Sequence, residues 1–237
     1  MLKGKWALVT GATAGLGLAV AESLANAGAN IVLHDLVEPH SARDSIRSRF
    51  GVDALSAAAD LSQRPAIETL MNGLLDQTGA IDILINNAVV RHFAPVEQFA
   101  PERWEEALAV NLSAPFHLIR LALPGMKQRD WGRIVNMASI YSTRAVAIET
   151  ATTGITCNAL CPGTLPTPAI ETRIAAAAER ENLSIDDATR NYLASRQPSR
   201  RFVAMENVGA TTAFLCSPAA QDITGATIPI DGGWSAA

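Results

Sequence analysis

The 237-residue chain lacks the features that mark several common classes of protein. Its three cysteines, Cys157, Cys161 and Cys216, are too few and too badly spaced for a disulfide framework or a zinc site, so we interpret them as reduced. Its Lys and Arg residues are scattered and its net charge is -4, which argues against binding to nucleic acid or to an anionic membrane. We find no cleavable hydrophobic leader and no apolar stretch of the ~18 residues that a membrane span needs. These absences predict a cytoplasmic protein whose partners are small molecules, with no nucleic acid, membrane or metal.

Lysine and tyrosine are also scarce. The only lysines are Lys3, Lys5 and Lys127, and the only tyrosines are Tyr141 and Tyr192. All three lysines therefore precede Ser139, and no lysine lies in the last 110 residues of the chain.

Short β-like runs alternate with helical runs along the chain, and hydrophobic residues make up 49% of it. Strands are predicted at 6–10, 30–34, 54–59, 81–86, 132–138, 155–160 and 227–230. Helical spacing of apolar residues occupies 16–27, 42–50, 64–77 and 101–120. This alternation predicts one α/β domain over residues 1–237, a doubly wound (Rossmann) fold with a seven-stranded parallel sheet and helices on both faces.

Residues 163–198 interrupt this rhythm with an opening rich in Pro and Gly and two predicted helices. An insertion of this length within a compact domain is typical of a lid over a substrate site. The alternative is a surface insertion without a role.

The first predicted strand runs into a glycine-rich turn, residues 10–17, that opens a helix. Glycines let the backbone approach a pyrophosphate closely, and a helix N-terminus offers unpaired N–H groups to negative charge. Asp35 ends the second strand, where a carboxylate accepts hydrogen bonds from ribose hydroxyls and repels a 2′-phosphate. The pattern favours NAD over NADP as cofactor; a structural turn and a turn-forming aspartate are the alternatives.

The G-x-x-x-G-x-G spacing of this turn resembles the short-chain dehydrogenase/reductase family, and other landmarks of the family follow in order along the whole chain. One departure is Val89, where the family usually has Gly after Asn-Asn-Ala. The resemblance implies an NAD(P)-dependent oxidoreductase, with cofactor contacts from Gly11, Thr13, Gly15, Leu16, Gly17, Asp35, Asp60, Leu61, Asn87, Ala88, Pro162, Gly163 and Thr167.

Two catalytic residues are implied by the same resemblance, Ser139 at the end of the fifth strand and Asn111 as a structural and proton-relay residue. The family's proton donor is the tyrosine of a Tyr-x-x-x-Lys motif about a dozen residues after the serine. Reducing a ketone develops negative charge on oxygen, so a donor must deliver a proton as the hydride arrives. The motif is absent here, and Tyr141 lies only two residues after the serine.

The connection between the fifth and sixth strands is correspondingly short. Only 15 residues separate Ser139 from Ile155, close to the shortest crossover that joins parallel strands, and residues 145–149 resemble the second half of a helix whose first half is missing. Either the sequence omits a segment that the protein has, or the deletion is real and the protein is a non-catalytic relative.

Several stretches, among them 121–126 and 196–199, are most similar to the 3-hydroxybutyrate dehydrogenases of the family, which implies a small hydroxy acid as substrate. The resemblance assigns the substrate carboxylate to Gln197, with Arg91 and Tyr141 as further substrate contacts that depart from the glutamine and histidine of those enzymes. An oxidoreductase acting on a sugar, polyol or acyl thioester is the alternative. The family also implies a homo-oligomer, a tetramer.

Overall fold

The computed structural model describes residues 2–137, 146–194 and 196–236, and these form a seven-stranded sheet in which each neighbouring pair of strands is parallel. The strand order is β3-β2-β1-β4-β5-β6-β7. The strands are β1 Trp6–Thr10, β2 Asn30–Asp35, β3 Ala54–Ala58, β4 Ile83–Asn86, β5 Gly132–Met137, β6 Ile155–Pro162 and β7 Thr227–Ile230. The predicted fold class is confirmed, with strand boundaries that differ by at most two residues.

The central strands are buried on both faces because helices cover both sides of the sheet. Every residue of β4 is buried, as are five of the six in β5. The order reverses beside β1, where β2 lies on one side and β4 on the other, and this switch point opens the crevice in which doubly wound folds bind ligands.

Helices pack on each face as two layers, α1, α2 and α8 on one side and α3 and α5 on the other. Their bounds are α1 Gly15–Asn26, α2 His40–Phe50, α3 Arg64–Thr78, α4 Pro101–Leu108, α5 Ala114–Gln128, α6 Pro168–Glu181, α7 Ile185–Ala194 and α8 Met205–Cys216. The insertion at 163–198 therefore contains both of its predicted helices, α6 and α7. A single helical turn at 146–149 precedes β6.

A π-helical turn, Ala109–Ser113, joins α4 to α5 and makes one helical rod from Pro101 to Gln128. The predicted end at residue 120 was wrong because the helix continues through Pro124, held by the buried Ala122 and Met126 on its inner face.

The rod Pro101–Gln128 is long and apolar enough to cross a membrane by length and composition, with a mean hydropathy of 1.2 in its most apolar window. The expectation that no stretch reaches that length was therefore wrong. One third of this window is buried in the protein, and α5 packs against α3 and the sheet. A core helix passes the same test of length and composition, so this helix is weak support for a membrane span.

Candidate active site

The glycine-rich turn between β1 and α1 leaves no room for a side chain at Gly11 and Gly17, where the backbone is closely packed. A Cβ on Gly17 would lie 2.1 Å from the carbonyl oxygen of Gly11, and Gly15 has a φ of +60°, a conformation that side chains disfavour. The turn therefore brings bare backbone to the surface at the switch point of the sheet.

Asn87, just after β4, holds this turn in place. Its Nδ2 donates hydrogen bonds to the carbonyl oxygens of Thr10 (2.9 Å) and Gly11 (3.0 Å). In return, the Thr10 hydroxyl accepts hydrogen bonds from the backbone N–H groups of Asn87 (2.9 Å) and Ala88 (3.0 Å). The structure thus brings Asn87 and Ala88 against the turn, on the side where the sequence placed the cofactor.

The N-terminus of α1 is suited to an anion. Its N-cap, Ala14, provides no side-chain capping bond, and the first turn contains no acidic residue. Thr13, Ala14 and Gly15 are all exposed. Unpaired N–H groups and the positive end of the helix dipole together bind phosphate groups, so the residues present fit a dinucleotide pyrophosphate.

Asp35 lies beside this turn, at the end of β2. One carboxylate oxygen accepts a hydrogen bond from the Thr13 N–H at 3.2 Å, and the other accepts one from the Leu36 N–H at 2.9 Å. The side chain is only partly buried, so its oxygens can still meet hydroxyl groups of a ligand.

Beyond Asp35, the end of β3 forms the side of the crevice assigned to the adenine. Asp60 is exposed and accepts a hydrogen bond from the Ser62 N–H at 2.9 Å, and Leu61 is buried. A residue that the sequence reasoning missed, His34, lies 3.1 Å from the carbonyl oxygen of Ala59 through its Nε2. Burial lowers the pKa of His34, although this hydrogen bond and the charge of Asp35 oppose the shift. The neutral ring ties the ends of β2 and β3 together.

Asn111 lies within the π turn of the helical rod. Its side-chain oxygen accepts a hydrogen bond from the Val90 N–H at 2.9 Å, and its Nδ2 donates one to the Val90 carbonyl oxygen at 2.8 Å. This reciprocal pair fixes the loop after β4 on the rod. Single π turns occur frequently at functional sites, but no simple sequence pattern announces them.

On the far side of the crevice, Pro162 ends β6, and the loop that follows contains Gly163 and Thr167. The Gly163 N–H donates to the Ile230 carbonyl oxygen at 3.0 Å, which anchors the loop on β7. Thr167 is the N-cap of α6, but its side chain makes no capping bond. Its hydroxyl is thereby left for a ligand, which fits the predicted carboxamide contact.

The substrate-side residues are only partly brought together. Ser139 and Tyr141 lie outside the described residues. Arg91 is exposed on the loop after β4, and within the described chain no ion pair engages it. The neighbouring His92 pairs with Glu106 at 2.9 Å.

Gln197 has partners other than a substrate carboxylate. It is completely buried: its Oε1 accepts a hydrogen bond from the Thr164 N–H, and its Nε2 donates one to the Arg201 carbonyl oxygen at 2.6 Å. These contacts engage one acceptor and one donor of the amide within the protein, and the assignment of this side chain to the substrate carboxylate stays a prediction.

No metal centre is formed by the described part of the chain, which contains no group of three or more His, Cys, Asp or Glu side chains that could hold an ion. Burial raises the pKa of the Cys157 and Cys216 thiols to about 12, so neither is a reactive thiolate near neutral pH.

The fold and this crevice define a dinucleotide-binding protein of the doubly wound type. Residues 5–146 match the family model described as short chain dehydrogenase, and residues 140–235 match one described as enoyl-(acyl carrier protein) reductase. The chain belongs to the short-chain dehydrogenase/reductase family of oxidoreductases.

Its relatives include two D-beta-hydroxybutyrate dehydrogenases. The one from Cupriavidus necator is 41% identical, with all of both chains covered, and the one from Rhizobium meliloti is 36% identical, with 98% of this chain and 99% of the relative covered. Among solved structures, L-sorbose reductase from Gluconobacter frateurii, complexed with NADPH and L-sorbose, superimposes with a TM-score of 0.92 at 27% identity, covering 98% of this chain and 97% of that one. NAD+-bound xylitol dehydrogenase superimposes with a TM-score of 0.86 at 28% identity, covering 98% of this chain and 99% of that one.

The alignment with the Cupriavidus necator relative also contains positions at which this chain has no residue. It spans 257 positions, whereas the chain has 237 residues, all of them included. At least 20 positions are therefore filled by the relative alone.

Proposed function

We propose that this protein is an NAD-dependent dehydrogenase that interconverts a hydroxyl and a ketone on a small hydroxy acid such as 3-hydroxybutyrate. The observation that carries the cofactor choice is the carboxylate of Asp35, 3.2 Å from the Thr13 N–H at the edge of an exposed, uncapped helix N-terminus. A carboxylate there accepts ribose hydroxyls and repels the 2′-phosphate of NADP.

The residues of the crevice hold the cofactor in distinct ways. The N–H groups of the α1 N-terminus bind the pyrophosphate, Asp35 the ribose, Asp60 and Leu61 the adenine, and Thr167 the carboxamide. NAD supplies the hydride acceptor when it is bound. Asn87 and Asn111 keep the two loops at the switch point in position through their hydrogen bonds to backbone groups.

The substrate proposal is supported by the hydroxybutyrate dehydrogenases among the relatives and by the exposed Arg91 after β4. A guanidinium group binds a carboxylate through two parallel hydrogen bonds, which suits a short hydroxy acid. A polyol or sugar is the competing substrate class, since relatives of the fold include enzymes named for sorbose and xylitol.

Proton transfer to the substrate oxygen is assigned to the crossover between β5 and β6. The serine of this chain, Ser139, is present there, but no lysine follows Lys127 and Tyr141 is too close to the serine to match the family motif. We place the missing donor in a crossover segment of about the length by which the alignment exceeds this chain. The intact mass of the protein isolated from its own cells tests this: a mass clearly above 25.0 kDa supports it.

A mass of 25.0 kDa supports a second candidate function, a dinucleotide-binding protein without turnover. The absence of the Tyr-x-x-x-Lys motif is the specific observation that favours it. In that case NADH binds and raises the melting temperature, whereas NAD is not reduced with any hydroxy acid, polyol or sugar in a substrate panel.

Binding alone tests the cofactor proposal, whatever the crossover contains. Titration of the 237-residue chain with NADH and NADPH, followed by nicotinamide fluorescence, is expected to give the lower Kd for NADH. Equal or tighter binding of NADPH contradicts the role given to Asp35.

We also propose that the protein forms a homotetramer in the cytoplasm. The outer face of the rod Pro101–Gln128 carries four exposed large apolar side chains at intervals of four residues, Trp104, Leu108, Leu112 and Phe116. Exposed apolar patches of this kind mark protein interfaces. Light scattering on the purified protein is expected to give four times the chain mass, and a monomer contradicts this proposal.

A further inference from the structure

Three segments of the chain meet at the far side of the crevice and leave almost no free space between them. They are the loop after β6 (162–167), the end of the insertion (196–201) and the turn after β7 (231–233). A Cβ on Gly163 would lie 2.8 Å from Asp231 Cα and 3.0 Å from Gln197 Oε1, and one on Gly232 would lie 2.2 Å from Ser199 Oγ. The path of each segment is therefore set by the other two.

The Gln197 side chain is the hydrogen-bonded centre of this junction. It is 0% exposed, accepts a hydrogen bond from the Thr164 N–H and donates one to the Arg201 carbonyl oxygen. On its other side Thr164 is fixed as well, because its carbonyl oxygen accepts a hydrogen bond from the Val203 N–H at 2.9 Å. The backbone at Thr164 is thus held at both its N–H and its C=O.

Thr164 lies three residues before Thr167, whose hydroxyl makes no capping bond at the start of α6. The loop is short, and one end is anchored on β7 by Gly163. A displacement of Thr164 must therefore move Thr167 relative to the cofactor crevice. Gln197 acts on that displacement through its hydrogen bond to the Thr164 N–H.

We propose that Gln197 is a positioning residue for the nicotinamide half of the cofactor. It holds the loop after β6 so that Thr167 meets the carboxamide, and it couples this loop to the segment 196–201 through the Arg201 carbonyl oxygen. The inference rests on the cofactor site proposed above. It gives Gln197 a role distinct from direct contact with the substrate carboxylate.

Loss of the side-chain amide leaves the buried Thr164 N–H and the part-buried Arg201 C=O without this partner, which the loop relieves only by moving. The nicotinamide contact is then lost, whereas the adenine and pyrophosphate contacts are made by β2, β3 and the N-terminus of α1. A selective loss is the consequence: the affinity for NADH falls, and the affinity for ADP-ribose, which lacks the nicotinamide, does not.

The experiment compares the Kd values of NADH and ADP-ribose for the wild-type chain, Gln197→Met and the matched control Gln221→Met, an exposed residue outside the junction. Gln197→Met is expected to raise the Kd of NADH about tenfold or more, the equivalent of one lost buried hydrogen bond, and to leave the Kd of ADP-ribose within about twofold. It should also reduce the fluorescence enhancement of bound NADH. Gln221→Met should change none of these quantities.

Unchanged NADH binding by Gln197→Met, or an equal loss of both ligands, overturns the inference. If Gln197→Met does not fold, Gly163→Ala displaces the same loop against Asp231 and should give the same selective loss. If the proposed cofactor site itself is wrong, the result differs, because the wild-type chain then binds neither NADH nor ADP-ribose.

Discussion

The backbone N–H of Thr13 donates a hydrogen bond to a carboxylate oxygen of Asp35 at 3.2 Å, across the gap between the glycine-rich turn and the end of β2. This contact places a negative charge at the edge of a surface that otherwise attracts anions, the N-terminus of α1. In the proposed cofactor site, the helix N-terminus attracts the pyrophosphate and Asp35 repels a 2′-phosphate.

Replacing Asp35 with Ser tests this arrangement. The substitution removes a charged acceptor, and hydrogen bonds to charged groups contribute about 1.5–3 kcal/mol, so the Kd of NADH is expected to rise about tenfold or more. The Kd of NADPH should fall or stay constant, because the repulsion disappears. Fluorescence titration with both cofactors measures the two changes.

Asp53→Asn is the matched control for Asp35→Ser, because Asp53 is exposed just before the start of β3, at the opposite end of that strand from the crevice. It removes one negative charge without touching the site. If Asp53→Asn reduces the preference for NADH over NADPH as much as Asp35→Ser does, the net charge of the protein rather than the local carboxylate determines the choice of cofactor.

Gly17→Ala should damage both folding and binding, since the added Cβ would lie 2.1 Å from the Gly11 carbonyl oxygen. Overpacking of this kind typically costs about 1–3 kcal/mol. Gly73→Ala is the comparison: this glycine is inside α3 with nothing within 4 Å of an added Cβ, and the change should stabilise the protein by up to about 1 kcal/mol. Urea unfolding measures both, and a stable Gly17→Ala variant that binds NADH normally contradicts the packing of the turn.

His34 is expected to make stability depend on pH. Burial lowers its pKa in the folded protein below the ordinary value of 6.5, so the unfolded chain binds the proton first as the pH falls. The neutral His34 ring therefore contributes its full share of the free energy of unfolding above pH 6.5. As the pH falls below 6.5, this share is lost by at most about 1.4 kcal/mol per pH unit, until the pKa of His34 in the folded state is reached. Urea unfolding at pH 7.5 and 5.5 measures the loss.

His34→Gln should flatten this pH dependence, because an amide can still donate to the Ala59 carbonyl oxygen but does not titrate in this range. His40→Gln, at an exposed position, should leave the dependence as it is in the wild type. A pH dependence that survives His34→Gln shows that other groups cause it.

Arg91 is expected to bind the substrate carboxylate in a chain that carries a complete crossover. Arg91→Ala should raise the KM for acetoacetate about tenfold or more, with a smaller change in kcat. The KM of Arg91→Lys should lie between those of the wild type and Arg91→Ala, because lysine keeps the charge but loses the two-point contact. Arg47→Ala, exposed on α2, is the control. An unchanged KM in Arg91→Ala removes Arg91 from the site.

The fold was predictable from sequence because its strands are continuous apolar runs separated by helical spacing. β1 and β2, for example, were predicted to within one residue. The helix end at Gln128 was missed: the helix continues past residue 120 and through Pro124, where the buried Ala122 and Met126 pack on its inner face. Tertiary packing decided that boundary, and a local pattern does not contain it.

The candidate site likewise contains features that follow from local sequence patterns and features that depend on tertiary contacts. Backbone features such as the glycine-rich turn follow from glycine spacing, and Asp35 follows from its position at a strand end. One partner of Gln197, the Arg201 carbonyl oxygen, is only four residues away, but the other, the Thr164 N–H, lies 33 residues earlier and is brought to Gln197 only by the fold. The π turn at Asn111 depends likewise on its contact with Val90.

We propose that this scaffold is an NAD-dependent hydroxy acid dehydrogenase whose proton donor belongs to the β5–β6 crossover. The most direct measurement is NAD reduction with 3-hydroxybutyrate by three chains: the 237-residue chain, the chain carrying the crossover of the Cupriavidus necator relative, and one with a Gly/Ser insertion of equal length. We expect turnover in the second chain only, with similar NADH affinity in all three. No turnover in the second chain, despite intact NADH binding, would contradict it.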